Sequence, residues 1–209
     1  MSGTEPDIEG LKRWLGEQIG LTFAPGRLAD AQRKIHRAMM RAGVPDPVAY
    51  GELIRSDNAA LDDLIAELTI GETYFFREPG QFQLLRTLVL PELRRRLGYD
   101  HILRAWSAAC SSGEEAYSLA IVLIEEGLAG RSFLLATDIS REALSKARRG
   151  SYTKWSLRDE AAHAALPYLR RDDNRYVVDE AVRRRVAFAP LNLARDDYPS
   201  VATRTQQMD

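Results

Sequence analysis

Between residues 102 and 150 the sequence alternates strand, helix, strand, helix, and this pattern constrains the fold more than any other feature. Ile102–Trp106 reads as a strand. Glu114–Glu126 carries Ala116, Leu119, Ala120 and Leu123 on one helical face, with Gly127 after its end. Phe133–Thr137 is a second short apolar strand, and Ser140 is placed to cap a helix over Arg141–Arg149 that Gly150 stops. Strands that alternate with helices pair in parallel through right-handed crossovers, and the helices cover the sheet. Val186–Phe188 supplies a third strand. The expected class is α/β.

The first seventy residues read differently, as helices alone. Asp7 is placed to cap a helix through Ile8, Leu11, Trp14, Leu15 and Ile19, with Gly20 as its stop. A second helix runs from Arg27 to Ala42 and ends at Gly43. Asp46-Pro47 starts a third, because proline at the first helical position lacks only an N–H that would go unpaired anyway. Leu61, Leu64, Ile65 and Leu68 then keep helical spacing. Three consecutive aromatics, Tyr74-Phe75-Phe76, fit neither an exposed helix nor a linker. A helix over Phe82–Leu97 contains Pro91, which predicts a kink or break after Leu90. Gly98 ends it.

Composition narrows the function. Lys+Arg is 29 and Asp+Glu is 30 in 209 residues, without the basic excess of a general nucleic-acid binder. The single cysteine, Cys110, excludes an internal disulfide framework and a Cys-rich metal site. His36, His101 and His163 show no metal-ligand spacing. No apolar run reaches the ~18 residues that span a bilayer, so a cytoplasmic protein is expected. After the third strand, Thr203–Asp209 supplies no closing element. Three strands alone leave an edge bare, so the chain reads as a fragment cut before a fourth strand beside the third.

The loop after the first strand is Ser107-Ala108-Ala109-Cys110-Ser111-Ser112-Gly113-Glu114-Glu115. Small residues there let a ligand approach the backbone and a helix N-terminus. With one glycine, this is not the dinucleotide G-x-G-x-x-G pattern. Glu114 and Glu115 would repel a pyrophosphate and suit a ligand with a positive charge; they equally suit the helix dipole. Asp138 ends the second strand 138 − 113 = 25 residues after Gly113, about where an acidic residue binds ribose in such sheets. It serves equally as a turn or cap aspartate. A ribose and a cationic tail without a pyrophosphate describe S-adenosylmethionine. Cys110 has no histidine placed by sequence to activate it and reads as a small half-buried thiol.

Gly71-Glu72-Thr73-Tyr74-Phe75-Phe76-Arg77, Trp106–Ser118, Ala136–Ser140, Lys146–Tyr152 and Phe188–Leu193 together resemble the chemotaxis-receptor glutamate O-methyltransferases of the CheR type. The blocks stand in family order over nearly the whole chain. The resemblance implies a small all-α domain, residues 1–72, that recognises the receptor. A Rossmann-like S-adenosylmethionine-dependent methyltransferase domain, residues 73–209, follows it and is incomplete here. It implies methylation of glutamates on the cytoplasmic helical bundles of chemoreceptors by a monomeric cytoplasmic enzyme that does not insert into the membrane and releases S-adenosylhomocysteine. Carried over by position, Gly71, Thr73, Arg77, Glu115, Asp138, Asn192 and Leu193 would line the cofactor, and Arg77 and Arg170 the reacting centre. Arg170 and Arg171 are not separated by the match. Gly71 stands where some members have asparagine. The family's later Cys-Arg-Asn strand, its nearby tyrosine and the receptor-tail subdomain have no counterpart up to Asp209, so a catalytically incomplete cofactor- or receptor-binding module is the alternative.

Arg27, Arg33, Lys34, Arg37 and Arg41 share one side of the second helix with Asp30. This is either a solvated charged face or, next to glutamate-rich receptor segments, a steering surface. The substrate-binding candidates are Arg33, Lys34, Arg37 and Arg41. For Arg77, holding the acceptor carboxylate competes with an ion pair to Glu72 or Glu78.

Overall fold

The structure, a computed structural model, describes residues 5–22, 24–69, 71–194 and 198–209. They form two compact units. The first is drawn from Met1–Ile70, Ile139–Glu142 and Asn192–Asp197, and the second from Gly71–Asp138, Ala143–Leu191 and Tyr198–Asp209, so far as these are described.

The first unit is helical. α1 spans Glu5–Ile19, α2 Leu28–Arg41, α3 Pro47–Ser56 and α4 Asn58–Leu68. Asp7 lies inside α1 rather than before it, because Pro6 falls in the first turn, where its missing N–H costs nothing. Asp46 caps α3 as its sequence predicts, its carboxylate accepting from Ala49 N at 2.8 Å. Such a cap is worth about 1 kcal/mol. Asp57 caps α4 through Ala59 N at 2.8 Å. The core gathers Leu11, Leu15, Ile35, Met39, Tyr50, Ile54 and Leu64. Ala31, Ile35 and Ala38 of α2 are buried together with Met39.

In the second unit, α5 (Pro79–Leu84) and α6 (Leu90–Leu97) are joined without a break by a π turn over Leu85–Val89. Leu90 N–H bonds Leu85 O, five residues back. The expected disturbance thus falls before Leu90, not after it. A widened turn absorbs the residue that Pro91 would otherwise crowd. β1 is Leu103–Ala108, α7 Glu114–Glu125, β2 Ser132–Asp138 and α8 Arg141–Arg149. Then come β3 (Ser151–Tyr152), 3-10 turns over Lys154–Leu157 and Ala161–Tyr168, β4 (Leu169–Asp172), β5 (Arg175–Val178), α9 (Glu180–Arg183) and β6 (Val186–Pro190).

β1, β2 and β6 form a parallel sheet in the order β1-β2-β6. The register places Ala108 beside Thr137 and Asp138 beside Pro190, so the C-terminal strand ends share one edge. Ligands of open α/β sheets bind at that edge. β2 is the central strand, and β6 pairs with β2 alone among the described residues. Among the described residues beyond β6, none pairs with it. The last residue lies at the outer edge of β1, where Asp209 N donates to Arg104 O at 3.0 Å and Arg104 N donates to Asp209 Oδ2 at 2.8 Å.

β3, β5 and β4 form a second, antiparallel sheet that the sequence reading did not anticipate. Two-residue and Arg-rich four-residue strands carry no alternating apolar signal. Among the described residues no helix is long and apolar enough to cross a membrane.

Candidate functional site

Phe75 and Phe76 resolve the aromatic run. Both are buried, Phe75 edge-on to Tyr152 at 5.1 Å between ring centres and Phe76 edge-on to Phe82 at 5.0 Å. Phe76 takes a left-handed backbone, φ 52°, and its N–H donates to Ser118 Oγ at 2.9 Å. The strained turn is thereby fastened to α7, and it sets Gly71–Arg77 beside the loop after β1.

That loop is wound tightly. Ala109, Ser111 and Gly113 have φ of 61°, 49° and 95°. Left-handed non-glycine residues are uncommon and collect where a backbone is held for use. At Gly113 a Cβ would come 2.8 Å from Ala147 Cβ, so only glycine fits. At Gly71 a Cβ would come 3.0 Å from Ser111 Oγ, which places the Gly71 segment directly against the loop. Cys110 N donates to Thr137 O, and Ser111 N donates to Asp138 Oδ2 at 2.8 Å, so the loop is pinned to the end of β2. Leu191 N donates to Asp138 O at 3.1 Å, which adds the chain leaving β6.

The paired glutamates divide. Glu115 is exposed, and Ser107 Oγ donates to its Oε1 at 2.7 Å. Glu114 is 3% exposed. Its Oε2 accepts from Ser112 Oγ at 2.7 Å and its Oε1 from Ser156 Oγ at 2.9 Å. Both start α7, but adjacent helical positions point about 100° apart. Sequence reasoning missed Glu114 and Ser156 as a pair; the motif spelling Gly-Glu-Glu does not show which carboxylate turns inward. Tyr152, whose Oη donates to Ser112 O at 2.7 Å, closes the back of the loop, and burial pushes its phenol well above the ordinary value.

Cys110 is fully buried rather than half-buried. Burial, then the neighbouring Asp138 charge, push its thiol up to about 12. Such a thiol stays protonated at neutral pH and does not present a nucleophile.

Of the remaining candidates, Thr73 is half-buried. Arg77 is exposed and donates through Nη1 to Glu72 O at 2.6 Å. The Glu72 carboxylate pairs instead with Arg158 at 3.3 Å. Arg170 lies in β4 opposite Val177, with Asp172 as its ion-pair partner at 3.5 Å. Arg171 Nε donates to Asp173 O at 3.3 Å. Asn192 and Leu193 belong to the helical unit, where Asn192 Nδ2 donates to Gln18 O at 2.7 Å. On α2, Arg37 pairs with Glu67 at 2.6 Å, and Arg41 pairs with both Glu67 and Asp63. Arg33 and Lys34 pair with Asp30 of their own helix.

The second unit therefore brings Gly71, Arg77, Glu115 and Asp138 onto strand ends and turns of one fold unit, with a loop shaped by left-handed residues. These residues fit a cofactor with a ribose and a cationic tail. Asp138 and Glu115 are the carboxylates there that could hold such a group, and Gly71 and Gly113 leave the backbone open beside them.

The comparisons with known proteins agree with this geometry. The CheR methyltransferase, SAM binding domain family matches residues 71–203. A putative methyltransferase Cher3 of Pseudomonas putida is 34% identical over 186 residues, covering 85% of this chain and 66% of that protein. A chemotaxis protein methyltransferase of Borreliella burgdorferi is 36% identical over 149 residues, 68% of this chain and 53% of its own length. Chemotaxis protein methyltransferase 1 of Pseudomonas aeruginosa is 29% identical over 210 residues, 96% of this chain and 76% of its own. The chain thus spans between about half and three quarters of these relatives. The matched domain takes S-adenosylmethionine as its methyl donor, and with a matching family over most of its length the chain belongs to the CheR methyltransferases.

Proposed function

We propose that this chain carries the cofactor-binding part of an enzyme that esterifies glutamate side chains on chemoreceptor cytoplasmic helical bundles, as a step in chemotaxis adaptation. It works as a cytoplasmic monomer, with the helical unit taking part in receptor recognition. The observation that carries the reading is the loop Ala109–Gly113, pinned to Asp138 and faced by Gly71, inside a match to a S-adenosylmethionine-binding domain.

S-Adenosylmethionine, when bound, supplies the methyl group on a positively charged sulfur. The chain's residues bind and orient. Asp138 holds the ribose and Glu115 offers a carboxylate to the cationic end. Thr73, with Asn192 and Leu193, completes the set by family position. A glutamate acceptor has an ordinary pKa of about 4.3 and is already ionised at pH 7, so no residue has to remove a proton. What remains is alignment. Arg77 is suited to hold the acceptor carboxylate, since its hydrogen bond goes to a backbone carbonyl and no carboxylate among the described residues pairs with it. Arg170 is the second cationic candidate by family position. The basic residues of α2 have ion-pair partners, and Arg33 is the one left most open to an acidic receptor, at 65% side-chain exposure.

Transfer of label from methyl-labelled cofactor into receptor cytoplasmic fragments, as a base-labile ester, tests the reading. Cofactor binding without any transfer by the full-length protein would favour a binding module instead. Label on an acceptor other than a protein glutamate would also overturn it.

A further inference from the structure

Trp155 is 67% exposed, an unusual position for the largest apolar side chain. It sits on the 3-10 turn Lys154–Leu157, which is rigidly anchored: Ser156 is buried against Glu114, and Phe75 N donates to Ser156 O at 3.1 Å. The exposed indole is therefore held in place beside the cofactor loop.

Arg158 lies between two rings. Its guanidinium carbon is 4.4 Å from the Trp155 ring centre and 4.1 Å from that of Tyr74. Arg158 Nη1 donates to Trp155 O at 2.9 Å, which fixes the stack. Arg77 reaches the same Tyr74 ring at 5.9 Å. Two guanidiniums thus share one ring, with Lys154 next to Trp155. The single carboxylate paired with either guanidinium among the described residues is Glu72, on Arg158. Asp159, the next acidic residue along, turns to accept from Ala161 N. The cluster Lys154, Arg158, Arg77 and Glu72 carries an excess of two positive charges around an exposed, ordered ring. Trp, Tyr and Arg are the residues that dominate binding energy in interfaces, and an ordered cationic stack loses little entropy on docking.

We propose that Tyr74, Trp155 and Arg158 form the docking platform for the acceptor, an acidic α-helical segment. An apolar side chain of that helix lies on Trp155, and a carboxylate other than the reacting one pairs with Arg158 beside Arg77. The proposal rests on the reading of the chain as a protein-glutamate methyltransferase, and it names how the substrate is gripped.

The test uses the full-length protein with a fluorescently labelled chemoreceptor cytoplasmic helical fragment. Anisotropy measures fragment binding, kinetics measures methyl transfer, and calorimetry measures S-adenosylmethionine affinity. Trp155→Ala and Arg158→Ala are expected to weaken fragment binding and raise KM by about tenfold or more, the size of an interface hot spot. They are expected to change kcat and cofactor affinity little. Arg158→Lys keeps the charge but loses the stacked plane, so it recovers only part of the binding. Unchanged binding and KM in both alanine variants overturn the platform while leaving the methyltransferase reading intact. A parallel fall in cofactor affinity also overturns it, because the stack would then merely support the loop. A wild-type protein that binds cofactor but transfers no methyl group to glutamate overturns the reading beneath the platform.

Discussion

Ser111 donates its backbone N–H to Oδ2 of Asp138 at 2.8 Å, tying a left-handed loop residue to the last residue of the neighbouring strand. One carboxylate thus shapes the loop and stands at the ligand edge of the sheet. Asp138→Ala is expected to weaken S-adenosylmethionine binding by more than about tenfold, since hydrogen bonds to a charged acceptor contribute about 1.5–3 kcal/mol. Calorimetry checks it. Equal affinities for variant and wild type would remove Asp138 from the site.

Gly113 and Gly80 make a contrasting pair. Gly113 has φ +95° and a Cβ there would meet Ala147 Cβ at 2.8 Å, whereas at Gly80 nothing lies within 4 Å. Gly113→Ala is expected to cost roughly 2 kcal/mol from strain and overpacking, lowering Tm by roughly 4–8 °C in a domain of this size. Gly80→Ala, in helix α5, is expected to leave Tm unchanged or raise it slightly. Thermal denaturation followed by circular dichroism distinguishes the two.

Glu67 links acid sensitivity to the helical unit. The hydrogen bond from Arg37 holds its carboxyl below the ordinary value, burial opposes this, and Arg41 reinforces it. A carboxyl depressed in the folded state stabilises above its unfolded pKa, near about 4.3, and loses that contribution as pH falls through the lower folded value. Glu67→Gln should therefore lower Tm at pH 7, and the difference from wild type should shrink below about pH 4. A difference that is constant across this range would assign the effect to packing.

Arg33 and Arg37 separate steering from stability on one helix. Arg37 is bound to Glu67 on α4, while among the described residues Arg33 pairs with Asp30 three residues away. Arg33→Glu is expected to slow methylation of an acidic receptor at low salt and flatten its salt dependence, with Tm unchanged. Arg37→Glu should lower Tm as well. Identical low-salt rates for Arg33→Glu and wild type would return the face to a solvated surface.

Cys110 offers a simple probe of folding. Buried and pushed up to about 12, its thiol should resist iodoacetamide at pH 8 in the native chain and react fully in denaturant, by mass spectrometry. Rapid native labelling would show that the β1 loop opens.

Much of the architecture is visible in the residues themselves. The glycines read as helix stops, Gly20, Gly43, Gly98, Gly127 and Gly150, all take positive φ. Asp46-Pro47 caps and starts α3 through chemistry local to four residues. The apolar runs of β1, β2 and β6 lie in one parallel sheet as the alternation with helices requires. Features set by distant partners were not visible. The short strands β3, β4 and β5 exist because they pair with one another, not because of pattern. The proline signalled a disturbance, but not that it would take the form of a π turn over the residues before it. The inward turn of Glu114, and Arg158 rather than Arg77 taking the Glu72 carboxylate, arise from residues 42 and 86 positions away.

Glu114 has a consequence for how this molecule tolerates change. Its two oxygens are each matched by one serine hydroxyl, Ser112 on the cofactor loop and Ser156 beneath Trp155. A buried carboxyl deprived of one donor keeps only the other against its desolvation cost, so loss of one hydroxyl is felt by the other's surroundings. The three positions form one coupled hydrogen-bonded unit. Ser112→Ala and Ser156→Ala should be non-additive in a double-mutant cycle, because the loop after β1 and the turn that carries Trp155 share the Glu114 side chain.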